Sequence, residues 1–354
     1  MSFALFKIIP KRCVGIDIGT SFIKVVELSR WGERRNLENY GEISAKVLYQ
    51  KPFRTFEKNT LLLSSKNISR AIRAVLEEAK IKTRKAIFSI PDFSSFFTNF
   101  ELPPMTTEEI PQAVRYEARQ HVPLPLSEVT LDWQIIGGVP SDHKKEKLSI
   151  LLVAVPNEVI NQYREIARIS ELQLVSLEAE VFGLSRSLTG EDEKRVISLI
   201  DIGAQSTTCS IIDRKVLKTS HSFDLAGNEF TERIAKSLGI DYQIAENFKK
   251  IIGLESRSLR EILLPLIDSI LREIEKIHRD FYQLETKEVQ KIILAGANAL
   301  LPELKEYFAE YLKKEVEIAN PFSHIFFPPI LEEKLKKIGP GYAIAVGMAL
   351  GGLE

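Results

Sequence analysis

The sequence predicts a duplicated α/β fold that carries a smaller α/β insert in its first half. The tetrapeptide Ile-Asp-Ile-Gly occurs at residues 16–19 and again at 200–203, each time between two apolar strands. A third glycine, Gly296, ends another apolar strand. Between the two copies, residues 86–155 alternate strand patterns with one helix and a proline-rich link, which is typical of a separate subdomain.

The composition is that of a packed protein without excess positive charge. The 354 residues are 44% hydrophobic and carry 48 basic against 48 acidic side chains. Binding along a phosphate backbone needs a positive surplus, so we expect no nucleic-acid partner. No apolar run reaches the about 18 residues that span a bilayer, and the N-terminus does not resemble a signal peptide. We therefore expect a cytoplasmic protein without direct membrane insertion, whose cysteines, Cys13 and Cys209, pack in strands.

The first half begins with strand patterns and ends in a helix. Residues 13–18 and 22–28 are apolar enough to form a strand–turn–strand hairpin, and a third strand is expected at 38–47. Apolar residues recur at helical spacing over 67–80.

The insert is expected to be a small α/β unit. Its predicted strands are residues 86–90, 97–102, 129–136 and 148–155. Thr106 and Glu109 have the spacing of a capping box, which predicts a helix over 106–120.

The remainder repeats the plan of the first half. Helices are expected at 157–170, 176–188 and through most of 228–285, strands between 195 and 224, a strand from 291, and a buried helix at 341–350. Residues 292–304 read as a strand, then Gly296, then a helix.

The repeated Asp-x-Gly turns suit phosphate binding. Glycine lets backbone N–H groups approach an anion closely, whereas Asp17 and Asp201 would hold Mg²⁺ through its water shell. Thr20 offers a hydroxyl and Lys24 a positive charge on the strand that follows. No Gly-Lys pair exists, which excludes a P-loop.

These motifs resemble the phosphate and adenosine loops of the actin/Hsp70/sugar-kinase superfamily. The first loop is Asp17-Ile-Gly19-Thr20, the second Asp201-Ile-Gly203-Ala-Gln, and the adenosine loop Leu-Ala-Gly296-Ala-Asn. Within it, the segments ELPPM (101–105), YEARQHVPLPLSEVTLDW (116–133) and VEIANPF (316–322) are similar to signatures of the PilM family of type IV pilus assembly. The similarity covers about residues 14–351.

The resemblance implies a duplicated actin-like, ribonuclease H-like ATPase fold that binds ATP or ADP with Mg²⁺. The implied nucleotide-binding residues are Asp17, Gly19, Thr20, Ser21, Lys24, Asp201, Gly203, Ala204, Gln205, Gly227, Asn228, Glu246, Lys249, Gly296, Ala297 and Asn298. Alanines stand at 226, 295 and 297, where the superfamily favours glycine.

The chain is expected to divide into the subdomains of that fold. The predicted segments are 1–85, 156–194 and 325–354 (subdomain 1A), 86–155 (the insert, 1C), 195–225 and 291–324 (2A), and 226–290 (2B).

The family resemblance also implies a membrane-bound partner. PilM-family proteins hold the cytoplasmic N-terminal peptide of the membrane protein PilN and join the other platform proteins of the pilus, so this chain would be peripheral on the inner membrane. The implied groove lies between the insert and subdomain 1A, and we assign Phe97, Leu124 and Leu126 to it.

Catalysis is the least defined part of the prediction. Glu178 and Glu180, on the helix expected to cross between the halves, are candidates to orient water, with at most weak ATPase activity. Two alternatives stay open: a small-molecule kinase of the same superfamily and an FtsA-like cell-division protein.

Overall fold

Two five-stranded sheets and one smaller sheet organise the molecule. The structure is a computed structural model and describes residues 10–44, 56–57, 60–61, 64–140, 146–190 and 192–354. The strands are β1 (Lys11–Ile18), β2 (Phe22–Trp31), β3 (Arg34–Ser44), β4 (Phe56–Glu57), β5 (Thr60–Leu61), β6 (Lys85–Ile90), β7 (Phe96–Leu102), β8 (Val129–Gly137), β9 (Leu148–Pro156), β10 (Gln173–Ala179), β11 (Val196–Ile202), β12 (Thr207–Asp213), β13 (Val216–Phe223), β14 (Lys291–Ala295) and β15 (Glu315–Ile318). The helices are α1 (Ser65–Glu78), α2 (Ile110–His121), α3 (Asn157–Ile169), α4 (Glu180–Leu188), α5 (Gly227–Leu238), α6 (Tyr242–Ile251), α7 (Arg257–Glu285), α8 (Leu304–Leu312) and α9 (Glu332–Gly351).

The two large sheets share one plan, which confirms the predicted duplication. Their strand orders are β10-β6-β1-β2-β3 and β13-β12-β11-β14-β15. In each, the strand that ends in Asp-x-Gly forms an antiparallel hairpin with the next strand and pairs in parallel with a later one. These central strands are almost wholly buried, as expected where both faces of a sheet are covered.

The insert forms its own antiparallel sheet, in the order β7-β9-β8, with α2 on one face. Its core is separate from that of the large sheets and includes Ile110, Val114, Leu148 and Ile150. Helix α2 begins at 110, later than predicted, because residues 106–109 form a turn in which the Thr106 N–H donates to the Glu109 carboxylate at 2.9 Å. Only this half of the predicted capping box forms.

Helices α4 and α9 cross at two glycines. A Cβ added to Gly347 would lie 1.9 Å from the carbonyl oxygen of Gly183, so the backbones touch where side chains would hold them apart. Helix α9 begins at 332 rather than 341 and continues through Pro340, whose carbonyl accepts the Gly296 N–H at 3.0 Å. The prediction followed the apolar run alone and missed the amphipathic first turns.

Three further predictions were wrong in their element boundaries. Residues 176–188 form the end of β10 followed directly by α4, because the first part pairs in parallel with β6 although no turn residue separates strand from helix. After Gly296 comes a short 3-10 turn over Ala297–Leu300, and helix α8 starts only at Leu304. Strand β3 covers 34–44, earlier than predicted, and the predicted positions 45–47 lie outside the described residues.

Candidate functional site

A cleft lies between the two halves, at the carboxyl ends of their central strands. Asp17 and Asp201 are the penultimate residues of β1 and β11, and Glu180 directly follows β10. In α/β sheets ligands bind at this edge. The cavity has a volume of about 130 Å³ and adjoins a second of about 290 Å³ with which it shares Lys24 and Ala297. All sixteen predicted nucleotide-binding residues line this cleft.

The two Asp-x-Gly turns have the same geometry. The Gly19 N–H donates to the Phe22 carbonyl at 3.0 Å, and the Gly203 N–H donates to the Ser206 carbonyl at 3.0 Å. A Cβ at Gly203 would lie 2.9 Å from that carbonyl, which explains the glycine. In the described part of the chain, the buried Oε1 of Gln205 accepts no hydrogen bond. The turns therefore present matched backbone from opposite sides of the cleft.

The adenosine loop is tied to the second turn. Gly296 has a φ of +84°, a conformation that strains other residues, and a Cβ there would lie 2.5 Å from the Asp201 carboxylate. The Asn298 amide donates to the Gly203 carbonyl at 2.7 Å. Ala226 has an extended backbone, with φ −162°, so alanine adopts this position without strain. The chain therefore has glycine at 296, where the backbone has a positive φ, and alanine at 226, where it does not.

Two lysines supply positive charge from opposite walls. The Lys24 ammonium donates to the carbonyl of Gly341 in α9 at 2.5 Å. Lys249 is buried and donates to the Gly227 carbonyl at 2.9 Å, while it pairs with Glu246 at 2.8 Å. Burial raises the pKa of Glu246, but the charge of Lys249 and hydrogen bonds have the larger, opposite effect. The pKa is therefore below its ordinary value and this carboxylate stays ionised.

The carboxylates at the base of the cleft have raised pKa values. Burial, with the charge of Asp17, raises the pKa of Asp201 to about 6 despite Lys24. Burial also raises the pKa of Asp17, against the opposing effects of Lys24 and a hydrogen bond from Ser89. For Glu180, burial and then the charge of Asp92 raise the pKa well above its ordinary value. A site that gathers negative charge in this way favours a cation.

The sequence prediction missed Asp92, a buried carboxylate next to the cleft, whose neighbours Pro91 and Phe93 line the cavity. Asp92 follows β6, so it lies at the same sheet edge as Asp17. Its Oδ1 accepts the Val181 N–H at 3.2 Å, and its own N–H donates to Glu180 at 3.2 Å. The buried Oδ2 has no hydrogen-bond partner among the described residues. Its position directly after a predicted buried strand was the available signal.

We predict that Asp92→Asn stabilises the ligand-free protein in a pH-dependent way. Burial raises the pKa of Asp92 from 3.8 to about 8, so the folded protein holds this proton more tightly than the unfolded chain. The contribution of Asp92 to the free energy of unfolding is therefore fully present below pH 4, and it is lost as the pH rises towards 8. Asparagine keeps the acceptor for Val181 and cannot ionise.

Thermal unfolding at a series of pH values tests this prediction. The melting temperature of the variant minus that of the wild type should be near zero at pH 4. It should reach about 10 °C or more by pH 8.5, because a pKa raised from 3.8 to about 8 corresponds to several kcal/mol, and about 1 kcal/mol shifts the melting temperature of a large domain by roughly 2–4 °C. A difference that stays constant across this range would contradict it.

The two predicted catalytic glutamates lie in different places. Glu180 lines the cleft. Glu178 lies on β10, not on a helix, and its carboxylate pairs with Arg186 at 2.9 Å on the wall of another cavity. The assignment of Glu178 to the cleft was wrong because β10 directs its carboxylate to Arg186 in the other cavity, whereas Glu180 lies beyond the end of that strand, at the start of α4.

That other cavity is a groove between the insert and the first large sheet. Its volume is about 840 Å³. The lining residues are Ile90, Thr130, Asp132, Trp133, Gln134, Leu151, Val153, Val155, Ile160, Arg164, Leu174, Val175, Ser176, Leu177, Glu178, Ala179, Phe182 and Arg186. The sequence also predicted a groove between the insert and the first half, but it assigned Phe97, Leu124 and Leu126 to that groove.

The three residues assigned to the groove do not line it. Phe97 lies on β7, at the opposite edge of the insert sheet from β8, and this strand packs against β13 of the second half. Leu124 and Leu126 pack on the insert's own core. The proline-rich link, residues 121–128, packs on that core, and the groove is lined by strands β8, β9 and β10 with residues of β6, α3 and α4.

The described residues offer neither a direct metal site nor a membrane span. They contain no group of three or more His, Cys, Asp or Glu side chains placed to ligate a metal directly. Nor does any described helix have the length and apolarity needed to cross a membrane.

Solved structures with this architecture are actin-like proteins. The chain matches the PilM-PilN type IV pilus biogenesis complex with a TM-score of 0.84 and 24% identity, covering 97% of this chain and 98% of the other. It matches the ethanolamine utilization protein EutJ from Carboxydothermus hydrogenoformans at 0.60 and 15% identity, with 97% and 90% covered. MreB5 of Spiroplasma citri bound to ADP matches at 0.55 and 13% identity, with 96% and 95% covered. The fold is therefore that of the actin-like proteins.

Comparison of sequences gives the family. Cell division protein FtsA of Streptococcus pneumoniae serotype 2 is 20% identical over 88% of this chain and 78% of its own length. The sequence model of the family described as type IV pilus assembly protein PilM matches residues 15–353. The chain belongs to the PilM family of type IV pilus assembly proteins.

Proposed function

We propose that this protein is a nucleotide-binding assembly factor of the type IV pilus, peripheral on the inner membrane. Its cleft would hold ATP or ADP with Mg²⁺, and its groove the cytoplasmic N-terminal segment of a PilN-like membrane protein. The matched turns at Gly19 and Gly203, facing each other across one cleft, carry the nucleotide assignment. The subdomain division given above is part of the same proposal.

The residues of the cleft fit a nucleotide bound with a divalent cation. Asp17 and Asp201 would hold the hydrated ion, which neutralises phosphate charge when bound. Lys24, Thr20 and the two turns would face the phosphates. Burial and the charge of Asp17 raise the pKa of Asp201 despite Lys24, so a cation bound between these two carboxylates would favour their ionised forms.

The adenosine would lie against the second half. Gly227 and Asn228 begin α5, and a Cβ at Gly227 would lie 2.2 Å from the Asn298 amide, so glycine at 227 leaves room for this side chain in the wall. Ala297 and Lys249 line both the small cleft and the adjoining cavity, which gives a path from phosphates to base. The MreB5 structure with ADP supports nucleotide binding by this fold.

Hydrolysis would be slow at most. Glu180 is the cleft carboxylate placed to orient water. Burial and then the charge of Asp92 raise its pKa well above the ordinary value, which disfavours the ionised form that would accept a proton from water. We therefore propose binding, not turnover, as the main use of the nucleotide.

The groove supports the partner assignment. A cavity of about 840 Å³ that is lined by apolar strand residues has room for a peptide segment. The solved complex of PilM with PilN, to which this fold is similar, supports a PilN-like partner. Through that partner the protein would join the other platform proteins.

Isothermal titration tests both halves of the proposal separately. Mg-ATP is titrated into the full chain, and then a synthetic peptide of the first 20 or so residues of the organism's PilN-like protein. Saturable binding of each is expected. Absence of nucleotide binding would overturn the cleft assignment, and absence of peptide binding would overturn the groove assignment, each without affecting the other.

A further inference from the structure

The groove between the insert and the first large sheet is bordered by two edge strands. Strand β10 is the outer strand of the first large sheet, and β8 is the outer strand of the insert sheet. Six consecutive residues of β10, 174–179, line the groove. Side chains of a strand alternate between the two faces of its sheet. Because consecutive residues of β10 all line the groove, the groove runs along the backbone edge of this strand.

Strand β9 shows the contrasting pattern. It contributes Leu151, Val153 and Val155, which are alternate residues on one face of the insert sheet. These apolar side chains form a floor beside the edge of β10. The groove therefore offers an open strand edge next to an apolar surface.

Two backbone groups of the edge strand β8 are already bonded to side chains. The Trp133 N–H donates to the Asp132 carboxylate at 2.9 Å, and the Ile136 carbonyl accepts from Lys218 at 3.0 Å. Over the described residues, the backbone of residues 174–179 pairs only with β6. An exposed edge of this kind is a template for another strand, and proteins usually cover it.

A β-bulge shapes the open edge. The pairing of β10 with β6 shifts register between Leu174 and Ser176, which leaves Val175 unpaired and 52% exposed in the groove. Bulges turn a side chain towards a site and are common beside binding sites. Val175 gives the open edge an apolar contact of its own.

We propose that the groove binds its peptide by β-strand addition to β10, so that the bound segment becomes a sixth strand of the first large sheet. This inference rests on the proposed function, since it describes how the same peptide is held. The peptide is extended over about six residues, roughly 20 Å. Its backbone hydrogen bonds to β10 provide affinity, and alternate side chains on Leu151, Val153 and Val155 provide selectivity.

Amide-to-ester substitution in the peptide tests strand addition. Each N–H of the synthetic PilN-like peptide is replaced in turn by an ester oxygen, which removes one donor with little change in shape. In an added strand only every second N–H faces β10. Affinity should fall about five- to tenfold at every second position of a six-residue stretch and less than twofold at the positions between.

Two outcomes would overturn the inference. Equal losses along the peptide, or none, would show that it does not pair with β10 although it occupies the groove. Failure of the unmodified peptide to bind would overturn the proposed function itself, together with the inference. Ester positions outside the six-residue stretch serve as the internal control.

Discussion

Mg-ATP should raise the thermal unfolding midpoint of the wild-type protein by about 5 °C at one hundred times its Kd, and Ala297→Glu should abolish this rise. A ligand at that concentration stabilises the folded state by about 2.7 kcal/mol, which gives a shift of this size in a chain of several subdomains. The measurement is a thermal melt with and without Mg-ATP.

Ala297 is suited to this test because of its place in the cleft. It is exposed and lines both the small cavity and the adjoining one, so a longer side chain would occupy the path that the nucleotide needs. Glutamate adds a negative charge near the phosphates and the carboxylates of Asp17 and Asp201. We expect at least a hundredfold loss of affinity, about 2.7 kcal/mol.

A charge-matched control separates blocking from general damage. Ser323→Glu adds the same side chain at an exposed position outside the cleft and should keep the full Mg-ATP shift. The melting temperatures of both variants without ligand should remain close to that of the wild type. An unchanged Mg-ATP shift in Ala297→Glu would contradict the assignment of the adenosine loop.

The cleft was predictable because its residues lie in short, repeated motifs. Gly19 and Gly203 are needed by the same turn, and Gly296 by its positive φ, so backbone geometry leaves a direct trace in the sequence. Each motif directly follows a buried strand, and parallel strands bring their carboxyl ends to one edge. Local pattern and topology were therefore sufficient to gather the site.

The groove was not predictable in the same way. Its walls are made by the edges of β10 and β8, which are distant in sequence and have no motif in common. Exposed apolar residues in the insert suggested Phe97 and Leu124, but the first packs towards the second half and the other onto the insert core. Which face of a strand is covered depends on tertiary packing, which hydrophobicity alone does not give. The prediction for Glu178 was wrong for a related reason, because the strand that carries it was predicted to be a helix.

Val175→Arg should weaken binding of the PilN-like peptide at least tenfold, which corresponds to about 1.4 kcal/mol or more. Val175 is half-exposed in the bulge of β10 and lines the groove, so the protein without peptide loses little by the change. Arginine would extend a charged side chain over the open edge, where the peptide backbone must approach to hydrogen-bond distance. Fluorescence anisotropy of a labelled peptide measures the loss.

Val139→Arg is the matched control. Val139 is 54% exposed, lies in the insert and does not line the groove, so this variant has the same chemical change in a similar solvent environment. It should bind the peptide with wild-type affinity, and both variants should keep the Mg-ATP shift.

If Phe97→Arg abolished peptide binding in a folded protein while Val175→Arg did not, the binding surface would lie near β7 and the groove assignment would be wrong. A loss confined to Val175→Arg would place the peptide along β10, because only that edge is shared by the groove and the bulge.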